Sequence, residues 1–240
     1  MFRSATFFLL AAFSVPAPAA TVLIGPTDDT TVHSFQPDNT LYGSAPGLGA
    51  GGVFNGAEQW VAFLRFDLGA VPVGQTITGA TLHMFQSLGG GYAPIGSRIY
   101  RVANDAWSES TATWNNPPAS VAEWFAAPIA ANDNAGTTYR GWSAWDLLAS
   151  GSWNPAADLA DGVLSVAAYS NTYSGTQTHN WCSKESDLGN CLISGETEPV
   201  AALRRPYLEL TYVPLPGAAW MLGAVVPLLL PQLRRRRRVA

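Results

Sequence analysis

From residue 20 to residue 213 no stretch sustains the 3.6-residue apolar repeat of a helix over a useful length. Period-two alternation instead recurs between clusters of Gly, Pro, Asn and Asp. A chain patterned in this way is confined to short strands joined by turns, which is an all-β sandwich or barrel. The alternation predicts strands at 21–24, 30–34, 59–68, 76–87, 98–102, 142–147, 163–169 and 207–212. The third of these stands apart. Trp60, Ala62, Leu64, Phe66 and Leu68 share one face, yet Val61 and Phe63 make part of the other face apolar as well. That pattern predicts a central strand covered on both sides, with Arg65 and Asp67 left to neutralise each other or to meet partners across the sheet. Trp60 and Trp145 are assigned to the core. Residues 25–29 read as a turn, 37–43 as a loop with many backbone-capping side chains, and the glycine-rich stretch 47–52 as a flexible connection.

The segment 106–118 reads Ala-Trp-Ser-Glu-Ser-Thr-Ala-Thr-Trp-Asn-Asn-Pro-Pro, too polar for a core strand and too rich in large aromatics for a slack loop. Ser108, Ser110, Thr111 and Thr113 can bond nearby backbone and hold a non-repetitive path. Pro117 and Pro118 close it, because a residue before proline is driven out of the helical region. An ordered connection packed across the domain is expected, with Trp107 and Trp114 plugging the sandwich edge or lining a recognition surface.

Both ends differ from the middle. Arg3 precedes an apolar run at 6–15, and Ala17-Pro18-Ala19 supplies a small-x-small pattern, so residues 1–19 read as a signal peptide and 20–213 as the globular domain. At the other end, Pro214-Leu215-Pro216-Gly217 leads into an apolar run at 218–233 and then the block Arg234, Arg235, Arg236, Arg237, Arg238. One C-terminal hydrophobic helix of that length, rising ~1.5 Å per residue, spans roughly 24 Å against a ~30 Å hydrocarbon slab. It is marginal as a permanent span, and the arginines hold its end on the cytoplasmic side.

With the ends set aside, the charge balance changes. Seven basic residues face seventeen acidic ones between Asp28 and Glu209, a net of −10, although the whole chain carries −4. A lysine-poor acidic surface argues against nucleic acid as a partner. Cys182 and Cys191, in a chain bound for an oxidising compartment, predict a disulfide stapling one loop. No H-E-x-x-H, G-x-S-x-G, phosphate-binding loop or C-x-x-C pair is present, and His33, His83 and His179 stand singly, so no catalytic residues are assigned. No cofactor is required; the one ion the sequence suggests is Ca²⁺, for which Asp28, Asp29 and Asp38, with Asn39 beside them, are hard oxygen donors on early loops. Asx hydrogen bonds in turns are the competing use of the same residues.

Several of these pieces carry resemblances. Pro37-Asp38-Asn39 with Tyr42-Gly43, then Phe63-Leu64-Arg65-Phe66-Asp67-Leu68, Ala80-Thr81-Leu82, the segment 107–118, Ser183-Lys184-Glu185 and Arg205-Pro206-Tyr207-Leu208 follow in an order and spacing that resembles the DNRLRE family. The resemblance implies a jelly-roll-like antiparallel β-sandwich on an exported protein, related to carbohydrate-binding modules of which some take acidic polysaccharides. The tail, with Pro214, Pro216 and the arginines, resembles the PEP-CTERM sorting signal of Gram-negative bacteria. That implies an exosortase-type processing enzyme as a partner, passage through the inner membrane with the C-terminal helix as a transient anchor, and then a place at the cell surface or outside it. An ordinary single-pass tail is the plainer alternative.

Sugars present C–H faces to flat rings and hydroxyls to polar side chains, so exposed Trp beside polar groups is the expected signature of a glycan site. Trp124, Trp142 and Trp153 lie near loops and are the candidates. The function these features point to is non-catalytic polysaccharide binding at the cell surface or in the extracellular matrix. The alternatives are a structural matrix or biofilm protein without specific glycan binding and, behind it, a polysaccharide-degrading enzyme, which needs two carboxyl groups roughly 5–9.5 Å apart.

Overall fold

The period-two segments are strands, and two further kinds of strand join them. A computed structural model describes residues 18–53, 58–86, 96–119, 127–133, 141–170, 177–186, 191 and 202–213. Most of the predicted signal peptide, the tail with Pro214, Pro216, Arg234, Arg235 and Arg236, and Trp124 lie outside the described residues. The strands run β1 (Ala20–Ile24), β2 (Pro26–His33), β3 (Gly47–Val53), β4 (Glu58–Asp67), β5 (Thr76–Phe85), β6 (Ser97–Val102), β7 (Ala130–Asn132), β8 (Trp142–Asp146), β9 (Val163–Tyr169), β10 (Gln177–Cys182) and β11 (Tyr207–Val213). One sheet has the order β1-β11-β5-β8. The other has the order β10-β3-β4-β9-β6-β7, with β2 also pairing β4. The resolved registers of both sheets are antiparallel.

The two sheets form a β-sandwich over one shared core. The smaller sheet contributes Ala80, Leu82 and Met84 from β5, Trp145 from β8, and Leu208 and Leu210 from β11. The larger contributes Ala62, Leu64 and Phe66 from β4, Leu164, Val166 and Ala168 from β9, and Ile99 from β6. Alternate residues on the smaller sheet face outward and are mostly polar or aromatic, which is why its strands read so cleanly in the sequence.

The larger sheet also has a second apolar face. Val32, Val61, Phe63, Tyr100, Val102, Ala167 and Tyr169 form a separate cluster, covered by Trp107, Ala112 and Ala119, with Trp114 packed against it. The connection at 106–118 therefore lies across the sheet, as its composition predicts. Its backbone is satisfied mostly within the segment, where Thr113 and Asn116 bond each other's main chain and Ala112 N–H reaches Ser108 O at 3.0 Å, and once outside it, where Asn115 N–H reaches Pro37 O at 3.0 Å. The Trp107 indole N–H donates to Ser165 Oγ at 3.1 Å, which meets the need that burial imposes on that group. Arg65 ties the layers together, donating to Asp105 O at 3.2 Å, to Trp107 O and to the Asp28 carboxylate. It thus meets partners across the sheet and from the covering segment.

Three expectations change. The stretch 47–52 is strand β3, held by β4 on one side and β10 on the other, so its glycines are ordered by neighbours. The predicted turn at 25–29 is taken up mostly by β2, which begins at Pro26. Residues 154–162 hold a short helix, α1 (Pro155–Asp161), in a domain whose sequence shows no helical period of useful length. Asn154 caps its N-terminus by accepting Ala156 N–H at 3.2 Å, Pro155 occupies the first turn, and Gly162 at φ 81° ends it. Cys182 and Cys191 are joined by the expected disulfide, and both pack against Phe85.

Truncating Trp107 to alanine removes both the cover over Phe63 and a buried hydrogen bond. The expected cost is about 3–5 kcal/mol, the range for a buried Trp, read as a lower urea midpoint at unchanged m-value.

Candidate functional site

Strand β3 supplies a floor almost without side chains. A Cβ at Gly49 would stand 2.9 Å from Trp60 Cε3, and one at Gly47 would stand 2.7 Å from Asn180 Oδ1. Glycine at these positions lets the indole and the amide lie directly over the strand. The result is a groove of about 230 Å³ lined by Thr31, Tyr42, Pro46, Gly49, Trp60 and Asn180, with His179 and other backbone around them. That is smaller than the ~300–1,000 Å³ of pockets that enclose a drug-sized ligand, and suits a ligand lying across it.

The groove's aromatic wall is braced by ring contacts and hydrogen bonds. His33 stacks on Trp60 with centroids 3.6 Å apart and planes 19° apart, and Tyr42 meets the same indole edge-on at 5.6 Å and 70°. His33 Nε2 lies 2.5 Å from Glu58 Oε1, and the Tyr42 hydroxyl lies 3.3 Å from His33 Nδ1 and donates to Gln36 Oε1 at 3.1 Å. Burial pushes the Tyr42 hydroxyl above its ordinary pKa, so it stays protonated through the neutral range. Opposite, His179 stacks on the buried Trp181 at 4.5 Å. Phe35 and Leu41, 71% and 74% exposed, stand on the segment that carries Tyr42. A half-exposed indole and a phenol at a steep angle, beside Thr31 and Asn180, offer apolar faces and hydrogen-bonding groups at once.

Trp60 belongs to this wall and not to the core to which sequence reasoning assigned it; Trp145, by contrast, is buried as expected. The signal was the run Gly47, Gly49, Gly51, Gly52, whose alternate glycines mark a place where other groups approach the backbone.

The tryptophans singled out from sequence have different fates. Trp142 is 42% exposed, on the outer face of the smaller sheet, packed edge-on against Tyr207 at 5.3 Å and Phe85 at 5.5 Å. His83 stacks on Tyr207 at 4.5 Å, and its Nε2 lies 3.4 Å from Glu209 Oε2. Trp153 is only 6% exposed, and its N–H donates to Asp158 Oδ2 at 2.6 Å. Its ring is committed to the core beneath α1, because Asp158 is itself buried and held by Arg101. It offers no face to a sugar.

The three aspartates proposed for an ion do not converge. Asp28 is paired with Arg65, and Asp38 Oδ1 accepts from Asn115 Nδ2 at 2.8 Å. Asp29 instead joins Glu109 and Glu185, with one carboxylate oxygen of each within 4.8 Å of the others. Lys184 Nζ donates to Glu109 Oε1 at 2.9 Å and to Glu185 Oε1. Burial disfavours that ammonium, but the two glutamates outweigh it and raise its pKa. Burial, and after it the charge of Glu185, pushes the Asp29 carboxyl well above the carboxylate range. Glu109 sits in the covering connection and Lys184-Glu185 in the turn after β10, so no local sequence pattern announces the meeting.

The family model of carbohydrate-binding module family 96 covers residues 20–190. No curated protein matches the chain.

The outer aromatic face carries a pH dependence. Burial lowers the His83 pKa, and Glu209 offsets this only in part. The unfolded chain therefore binds more protons than the folded one below the ordinary histidine pKa of ~6.5. The stability that neutral His83 contributes is complete above that value and is lost as pH falls through its lowered folded pKa. Urea midpoints measured across the mildly acidic range should fall more steeply in the parent chain than in His83→Phe.

Proposed function

The chain belongs to carbohydrate-binding module family 96, and from that membership together with the groove we infer that it is a non-catalytic polysaccharide-binding protein. The observation that carries the reading is the half-exposed Trp60 set against Tyr42 above the glycine floor. A pyranose ring laid on the indole packs its C–H face there, while Thr31 and Asn180 meet its hydroxyls. His33 and Glu58 lock the indole from behind, so little side-chain entropy is lost on binding. Trp142 with Tyr207 is a second ring platform on the other sheet, suited to a polymer long enough to touch both.

The charge pattern favours a neutral glycan. The basic side chains at 65, 98, 101 and 184 are each paired with a carboxylate, which leaves them spent within the fold. An anionic polymer would meet a domain with a net charge of −10 over 28–209. Export through the signal peptide, anchoring in the inner membrane during sorting by an exosortase-type enzyme, and display at the cell surface complete the reading, supported by the sequence at 1–19 and 214–240.

Affinity electrophoresis of the full chain, kept in mild detergent, against neutral and acidic polysaccharides tests this. Retardation by a neutral polymer is expected, and Trp60→Ala should weaken it at least about tenfold, or ~1.4 kcal/mol. Tyr42→Ala should act in the same direction. Passage without retardation through every polymer, or an undiminished affinity in both variants, would refute the groove as the site.

A further inference from the structure

Around Asp29 the fold leaves two oxygens without protein partners. Asp29 is fully buried; its Oδ2 accepts Lys184 N–H at 2.7 Å, but its Oδ1 is unpartnered. Glu185 Oε1 is held by Lys184 Nζ, and Glu185 Oε2 is likewise buried and unpartnered. Glu109 uses Oε1 for Lys184 and Oε2 for Asp29 N–H at 3.1 Å. When all three are ionised, these carboxylates and the one ammonium of Lys184 leave two negative charges at one point. Unpaired oxygens at such a place are costly, and elsewhere in this molecule a buried carboxylate such as Asp158 has both its oxygens occupied.

We propose that Asp29, Glu109 and Glu185 form a site for a divalent cation, calcium by preference, with Asp29 Oδ1 and Glu185 Oε2 as its first protein ligands. The donor set is all oxygen and all carboxylate, which suits a hard cation. Asp29 fixes the inner side of the site, whereas Glu109 and Glu185 keep 24% and 26% of their side chains exposed, so water has access to complete the shell. Calcium tolerates such an irregular, partly hydrated shell better than magnesium, which demands near-octahedral geometry. A 2+ ion balances the residual charge and does so without displacing Lys184, whose contacts use other oxygens.

The position gives the ion a task. It would join β2, the covering connection and the turn after β10 at one point. Ser183 in that turn bonds Pro46 O at 3.1 Å and Ala45 O at 2.7 Å, on the rim of the groove. Loading the site therefore holds the rim as well as the acidic cluster.

The test uses the full chain in mild detergent, stripped with chelator and titrated with CaCl2. Isothermal titration should show one site, and millimolar calcium should raise the melting temperature by several degrees at about pH 7.5. MgCl2 should bind at least about tenfold more weakly. Asp29→Asn should abolish the response. Since Asp29 is deep in the fold, Glu185→Gln, on the exposed side, is the decisive companion: it should fold as the parent does and lose most of the calcium shift. Absence of heat and of any melting shift in the parent at neutral pH would overturn the site. A full calcium response retained in Glu185→Gln would overturn it equally, by placing the ion elsewhere.

Discussion

A strand that is apolar on both faces cannot stop at a two-layer sandwich. Ala62, Leu64 and Phe66 of β4 find their cover in the smaller sheet, but Val61 and Phe63 need a third layer. The chain provides it with a segment that has no ladder of its own, which is the harder way to bury backbone. That choice explains the density of Ser, Thr and Asn at 106–118, whose side chains and turns satisfy the main chain there. It explains Arg65 as well. Its guanidinium bonds the carbonyl of Asp105, just before the covering segment, that of Trp107 within it and one carboxylate of β2, so a charged group on the central strand becomes the fastening between layers.

Much of this was legible in the sequence. The doubly apolar reading of 59–68, the ordered character of 106–118, the disulfide and the alternating strands all rest on period and composition, which act locally. What escaped notice depends on partners distant in the chain. β3 is a strand because β4 and β10 flank it, not because Gly47, Gly49, Gly51 and Gly52 favour extension. Trp60 and Trp153 exchanged expected places for the same reason. Trp60 has glycine beneath it and cannot be enclosed, whereas Trp153 has a buried aspartate five residues on that takes up its N–H. The helix at 155–161 was announced by Asn154-Pro155 and Gly162, but at two turns it is too short to show a period.

The ionic side of the structure follows from scarcity. With few cations available, the fold places them where carboxylates gather: Arg101 between Asp105 and Asp158, Lys184 between Glu109 and Glu185. Arg101 with Asp158 and Lys184 with Glu109 link segments far apart in sequence, and both Arg101 and Lys184 hold their protons more firmly than usual because the acids outweigh burial. Neither is free to greet an anionic ligand.

The glycine floor also limits how such a protein can diversify. A wall made of side chains can be retuned by swapping any of them, but Gly47 and Gly49 admit no replacement without driving Trp60 or Asn180 away. On the proposed reading of the groove as the sugar site, descendants of this chain that come to prefer another sugar must therefore change at the rim, through Thr31, Tyr42, Asn180 or the exposed Phe35 and Leu41, while the strand beneath stays bare.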